Sequence, residues 1–501
     1  MMATAAVARA VASAGAGGAG LAAAGAATLP DAPPAVGASD ANPSLRFPDG
    51  FKWGLATSAY QIEGAPDADG KGKSIWDIYA HIPGKMRNGD TGDVANNHYH
   101  RYRDDVALMR EIGANAYRFS ISWPRVFPDG DGALNEKGLD FYSRLIDACL
   151  AAGIEPFATL YHWDLPQALQ DRGGWQSRAT SEAFARYAAV VARRLGDRCR
   201  HVFTLNEVQN FVEMGHRGTS FTVQGRTVEI ELAPGLKLST RGVNQVAHHA
   251  VLAHGLAVQA MRAERPSGLA IGPADILFAA VPVSDTPANV RAAQAATRAF
   301  NDQYLGVMLT GRYSDEFLAA AGPDAPAFTD ADMQAIGSPL DFVGINIYVP
   351  KAYVEASDDR CGYRAIAPAV SHPRMGSPWH SLSPEVLYWG PRLLHDIWHP
   401  RAIFITENGC AAADELTPDG RVLDTDRLMY LRATMTNLHR AIREGAPVQG
   451  NFVWSAMDNL EWTAGFGTRF GLIHVDFATQ KRTPKLSAAW FRAAAAANAV
   501  V

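Results

Sequence analysis

Two segments of this chain each deliver a glutamate at the end of an apolar run: His-Val-Phe-Thr-Leu-Asn-Glu over 201–207 and Ala-Ile-Phe-Ile-Thr-Glu over 402–407. Cleavage of a glycosidic bond needs two carboxyl groups, so Glu207 and Glu407 are the candidate catalytic pair. Gln61, Arg118, His162, Asn206, Tyr348, Trp454, Glu461 and Trp462 stand at similar points, where apolar runs give way to polar sequence. Amides, an imidazole, carboxylates and indoles together suit a sugar. Hydroxyl groups need donors and acceptors in fixed directions, and an indole face covers the apolar C–H surface of a pyranose ring. Taken singly, each residue has a plain structural reading: a strand-end Glu can be salt-bridged, a lone His can be a satisfied polar group, and Trp454 can be core. The set gains meaning only if one fold gathers it in one place.

The apolar runs supply such a fold. Residues 53–57, 116–120, 154–161, 201–205, 270–277, 342–347, 402–406 and 448–454 are short, β-branched or aromatic segments of the kind that form buried parallel strands. Amphipathic stretches such as 99–112, 138–152, 181–195, 243–262 and 426–444 lie between them, so strands and helices alternate. Eight repeats predict a closed (β/α)8 TIM barrel, whose strand ends converge on one mouth. A doubly wound sheet is the competing fold, and it would usually carry a glycine-rich phosphate loop after its first strand. Here residues 53–57 are followed by Ser-Ala-Tyr-Gln-Ile-Glu-Gly, without G-x-G-x-x-G. Glu207 and Glu407 are 407 − 207 = 200 residues apart, so only barrel closure joins them.

At 501 residues, length alone would allow about three domains, but α/β barrels routinely exceed that rule. We read one catalytic domain over 45–501, preceded by a segment, 1–44, of a different character. That segment is Ala/Gly-rich up to Ala27 and Pro/Asp/Ala-rich afterwards, a composition that builds no core. Its small-residue stretch at 24–28 and single early charge, Arg9, fit a trimmed export leader as well as a low-complexity tail. Export and a cytoplasmic location therefore stand level. With 46 basic against 51 acidic side chains, the balance gives no sign of nucleic acid or an anionic membrane as partner. No apolar run reaches the ~20 residues needed to span a bilayer. Cys149, Cys199, Cys361 and Cys410 lack metal-ligand or disulfide-framework spacing, so isolated thiols and no metal or cofactor are expected. The expected partners are small-molecule glycosides.

Ordered motifs extend this reading. They are Phe51-Lys-Trp-Gly-Leu-Ala-Thr-Ser-Ala-Tyr-Gln-Ile-Glu-Gly, Tyr117-Arg-Phe-Ser-Ile-Ser-Trp-Pro-Arg, Leu160-Tyr-His-Trp-Asp-Leu-Pro and the Asn206-Glu207 pair. Gly344-Ile-Asn-Ile-Tyr, Ile405-Thr-Glu-Asn-Gly and Trp454-Ser-Ala-Met-Asp-Asn-Leu-Glu-Trp complete the series. Through them the chain from about Phe47 to Trp490 resembles glycoside hydrolase family 1, the β-glucosidase family. The resemblance implies a retaining mechanism with a covalent glycosyl-enzyme, Glu407 as nucleophile and Glu207 as general acid and then general base. It also implies that Arg118 and Tyr348 hydrogen-bond Glu407. Gln61, His162, Asn206, Glu461 and Trp462 would hold the glycone hydroxyls, Asn206 that at C2, with Trp454 as the stacking platform. Such a pair should stand about 5 to 5.5 Å apart.

The chain departs from the family pattern in two places. The family usually has proline after the acid/base glutamate, where this chain has Val208. The segment from Glu213 to Gly235 is longer than usual and contains a predicted β-hairpin around Gly225, which either walls the aglycone side or is a surface embellishment. Myrosinase-like relatives carry Gln in place of the acid/base, whereas Glu207 is present. Phospho-glycosidase relatives carry a Ser and a Lys-Tyr pair after the last strand, whereas Glu461-Trp-Thr-Ala-Gly-Phe-Gly-Thr-Arg-Phe stands here, favouring an unphosphorylated sugar. The expected activity is exo-acting β-glycoside hydrolysis, with glucosides ahead of galactosides and fucosides. A transglycosidase using the same intermediate, and a sugar-binding relative without turnover, are the alternatives; the presence of both glutamates speaks against the second.

Overall fold

A computed structural model describes residues 45–223, 226–264 and 266–501. The expected leader or tail at 1–44 therefore lies outside the described residues. Eight parallel strands close into a barrel: β1 Lys52–Ala56, β2 Ala116–Ser120, β3 Glu155–Tyr161, β4 His201–Asn206, β5 Ala270–Ile276, β6 Val343–Asn346, β7 Ile403–Asn408 and β8 Val448–Trp454. Closure is visible at Ala56, which is in register with Arg118 of β2 on one side and Trp454 of β8 on the other. Each strand is followed by a long helix: α1 His98–Glu111, α2 Glu136–Ala151, α3 Arg178–Leu195, α4 Thr240–Glu264, α5 Pro287–Asn301, α6 Val386–Trp398, α7 Thr425–Arg443 and α8 Leu486–Ala497. Thr286 caps α5 through the amide of Asn289, with Pro287 at the first turn, where its missing N–H costs nothing.

The strands read as continuous apolar runs because both of their faces are buried. One face packs outward on the helices, through Leu55, Tyr117, Leu160, Val202, Ile345, Ile405 and Val453. The other fills the barrel, through Phe157, Phe203, Phe404 and Phe452, with Phe342 beside them. Phe157 meets Phe452 at 4.9 Å and Phe404 at 5.4 Å, both edge to face, a favoured arrangement for aromatic pairs. This aromatic floor leaves the C-terminal ends of the strands for polar residues.

The segment after β4 forms a helix, Val208–His216, and then the predicted hairpin, Thr219–Val223 paired antiparallel with Arg226–Ile230. Residues 224 and 225, between these two strands, lie outside the described residues. Glu231 at its base pairs with Lys85 and Lys237 and accepts from the Tyr79 hydroxyl, which ties the hairpin to the loop after β1. Among the described residues no helix is long and apolar enough to cross a membrane.

Candidate active site

Simple alternation along β7 would turn Glu407 away from the barrel, because Phe404 and Thr406 already point inward. A register irregularity between Ile405 and Glu407 breaks that alternation on the β6 side, and another spans Ile405 to Asn408 on the β8 side. Bulges of this kind re-aim a side chain next to active sites. In β4 a similar shift separates Phe203 from Asn206, so both face the interior although they are three residues apart. Glu207 then takes a left-handed conformation, φ 49° and ψ 63°, as the chain turns into the following helix. The two carboxylates thus reach the mouth through local departures from regular strand geometry.

Arg118, projecting from β2 over the Phe203 ring, organises the layer beneath them. One guanidinium nitrogen donates to Glu407 Oε1 at 2.6 Å and the other to Asn206 Oδ1 at 2.5 Å, while Nε donates to Thr159 at 3.0 Å. The Tyr348 hydroxyl donates to Glu407 Oε2 at 2.8 Å. Asn346, on β6, donates to Asn206 Oδ1 at 3.0 Å and to Glu207 Oε1 at 2.9 Å, and accepts from the Thr406 hydroxyl at 2.7 Å. Asn210, one turn into the helix after Glu207, donates to Glu207 Oε2 at 2.8 Å. A cation and a phenol therefore hold Glu407, whereas two neutral amides hold Glu207.

This asymmetry separates the two carboxyl groups electrically. Burial, followed by the negative charge of Glu407, pushes the Glu207 carboxyl up to about 8, against the pull of Asn346 and Asn210. Burial raises Glu407 as well, but Arg118, Tyr348 and Asn346 pull it back. The buried guanidinium at 2.6 Å makes Glu407 the group that ionises first. Glu461 is lifted to about 8 by burial and then by the charges of Glu407 and Glu207.

The remaining residues expected at the mouth also lie here. The His162 ring lies nearly parallel to two indoles, that of Trp454 at 5.6 Å and that of Trp462 at 6.0 Å. Burial, then the Arg118 charge, takes its pKa well below the ordinary value, so the ring is neutral. Asn206 Oδ1 is held by Arg118 and Asn346, which turns its amide nitrogen to His162 Nε2 at 3.2 Å. Nε2 then accepts, and Nδ1 carries the proton. Nδ1 is buried and has no partner among the described residues. Gln61 behaves differently: it is fully buried, and its amide donates to Asn459 and the Leu460 carbonyl and accepts from Ser58. Glu461 and Trp462 ride on the loop after β8. Asp458 anchors that loop by accepting from Lys485 at 2.6 Å and Arg469 at 2.7 Å.

Sequence reasoning missed Asn346, Asn210 and Trp163. Asn346 lay inside the quoted Gly344-Ile-Asn-Ile-Tyr motif, two residues before Tyr348. Asn210 had a signal too, one helical turn after Glu207. Trp163 adopts φ 75°, stacks on Trp462 at 4.7 Å and donates to the Asn206 carbonyl, and only tertiary structure reveals that.

The model for Glycosyl hydrolase family 1 matches residues 44–500. The chain belongs to this family. It is 41% identical over 451 residues to a 1,4-beta-D-glucan glucohydrolase of Thermotoga neapolitana, covering 89% of this chain and 97% of the relative. It is likewise 41% identical to a bifunctional beta-D-glucosidase/beta-D-fucosidase of Bifidobacterium breve, covering 90% of this chain and 98% of that protein. Among solved structures, the Thermotoga maritima β-glucosidase in complex with deoxynojirimycin superposes with a TM-score of 0.81 at 38% identity, covering 91% of this chain and 100% of the other. Members of family 1 retain anomeric configuration, and the closed eight-stranded barrel is the fold of these neighbours.

Proposed function

We propose that the chain is an exo-acting β-glucosidase that releases terminal, non-reducing β-D-glucosyl residues, with Glu407 as nucleophile and Glu207 as acid/base. The observation that carries the assignment is the unequal company of the two glutamates: Arg118 and Tyr348 on Glu407, Asn346 and Asn210 on Glu207. In the first step the Glu407 carboxylate attacks the anomeric carbon while protonated Glu207 gives its proton to the leaving oxygen. The ester that forms has no charge on Glu407. That removes the second-largest influence raising the Glu207 carboxyl, so Glu207 becomes an anion suited to taking a proton from the attacking water. Asn206, fixed by Arg118 and Asn346, is the partner for the sugar 2-OH, whose contact strengthens in the transition state. His162, Glu461 and Gln61 take further glycone hydroxyls, and the Trp454 and Trp462 indoles bound the ring.

The names of the relatives support glucosides first and fucosides as a second substrate. A panel of 4-nitrophenyl β-glycosides tests this, with the highest kcat/KM expected on the glucoside. Turnover of a galactoside or a 6-phosphoglucoside ahead of the glucoside would sink the substrate assignment.

A further inference from the structure

Val208 stands where the family usually carries proline, and so brings a backbone N–H to the first turn after Glu207. Val208 is buried, and its N–H cannot reach water. Instead it donates to Asp275 Oδ1 at 2.8 Å, on the neighbouring strand β5. The same oxygen accepts the Ile276 N–H at 2.9 Å. One residue back, the Glu207 N–H donates to the Ala274 carbonyl at 2.9 Å. Two consecutive amides, on either side of the Glu207 α-carbon, are therefore gripped by consecutive residues of β5. Asp275 is 1% exposed, and its Oδ2 has no partner among the described residues. A carboxylate at the start of a helix also suits the exposed amides of the first turn. Interior strand positions on β5 otherwise hold apolar residues, so a buried acid there calls for a specific use.

We propose that Asp275 is the positioning residue for Glu207, its Oδ1 fixing through the Val208 N–H the entry from Glu207 into the following helix, where a proline ring would otherwise set the first helical φ. A proline at 208 would have no N–H to satisfy and a φ set near −65° by its ring. With valine, both the missing rigidity and the additional donor have to be met from outside the loop, and Asp275 meets them. The Asp275 side chain makes no hydrogen bond to the Glu207 carboxyl; it holds the backbone that carries the acid, and its charge adds only the last and smallest of the influences on that carboxyl. This inference rests on Glu207 being the acid/base.

The test is a two-by-two set, wild type, Asp275→Leu, Val208→Pro and the double variant, assayed by kcat/KM on two substrates. One is 2,4-dinitrophenyl β-glucoside, whose phenolate leaves without protonation; the other is cellobiose, whose alkoxide needs the proton. Misplacing the acid by a fraction of an ångström to an ångström predicts a loss of about 10- to 100-fold on cellobiose for Asp275→Leu, with little change on the dinitrophenyl substrate. Asp275→Asn keeps an acceptor oxygen and is expected within a few-fold of wild type. Val208→Pro alone should be active, and in the double variant proline should restore most of the cellobiose loss, because the amide Asp275 served is gone. Equal losses on both substrates, or a double variant as poor as Asp275→Leu, would overturn the proposal. Should Asp275→Leu not fold, the double variant decides: folded and active on cellobiose upholds the proposal, unfolded overturns it. Glu207→Ala serves as the control. If that variant shows no dependence on leaving group, the acid/base assignment fails; if it does while Asp275→Leu does not, only the positioning role fails.

Discussion

Arg118→Met isolates the cation on which the division of labour depends. In wild type the guanidinium lies 2.6 Å from Glu407, with both side chains out of solvent. Removing one member of such a pair leaves an uncompensated buried charge, so the ionised nucleophile becomes costlier to hold by about 3–5 kcal/mol. At about 1.36 kcal/mol per tenfold, that is a loss of about 100- to 10,000-fold in kcat/KM. The sign of the pH effect follows from the role of Glu407. The nucleophile must be an anion, so activity falls as pH drops through its pKa. Without Arg118 burial goes unopposed by the cation, the pKa rises, and the acid limb of the kcat/KM profile moves to higher pH. Raising the pH cannot restore full activity, because Glu207 loses its proton on the alkaline side and the bell narrows. Arg118→Lys keeps a charge but loses the fork that also holds Asn206, so an intermediate loss is expected. The assay is kcat/KM on 4-nitrophenyl β-glucoside from acid to alkaline pH, with thermal unfolding as a check that the barrel persists. A folded Arg118→Met variant with an unmoved acid limb would refute the reasoning.

Three further outcomes are expected. Tyr348→Phe removes one 2.8 Å hydrogen bond to a charged group, worth about 1.5–3 kcal/mol; kcat should fall by about 10- to 100-fold with the fold intact, and an unchanged kcat would show that the bond does not assist Glu407. The alkaline limb of wild-type kcat/KM should fall near pH 8, where Glu207 gives up the proton it must donate; a limb near pH 5 would mean that Glu207 is not held protonated. Phe157→Ala opens a cavity in the aromatic floor between Phe404 and Phe452 and should destabilise the barrel by about 3–5 kcal/mol, read from urea unfolding midpoints. A shift under 1 kcal/mol would mean that the floor collapses around the gap.

The barrel was legible because parallel strands buried on both faces write themselves as apolar runs, and all eight runs became strands. Glu207 and Glu407 were legible as strand-end acids by the same logic. Their aim was not. A strict alternation from Phe404 and Thr406 sends Glu407 outward, and the irregularity that turns it inward depends on pairing with β6 and β8. Asn346 stayed hidden because an asparagine inside an apolar strand looks like an interruption until Asn206 and Glu207 are seen on its amide. Gln61 was expected to hold a glycone hydroxyl; that Asn459 and Leu460 also occupy its amide was not legible, since no sequence spacing joins positions some 400 residues apart. The hairpin was readable from its strands. Its tie to Lys85 and Tyr79 through Glu231 was not, since a surface glutamate names no partner.

The most direct trial of the assignment of Glu407 is to trap the covalent intermediate. Incubation with 2,4-dinitrophenyl 2-deoxy-2-fluoro-β-glucoside slows both steps, and the activated leaving group lets the first outrun the second. Intact mass followed by peptide mapping should show one fluoroglucosyl group per chain, esterified to the peptide containing Glu407 in β7 and absent from a Glu407→Gln variant. An adduct on Glu207 or Glu461, or no adduct while the leaving group is released with inversion at the anomeric carbon, would contradict it.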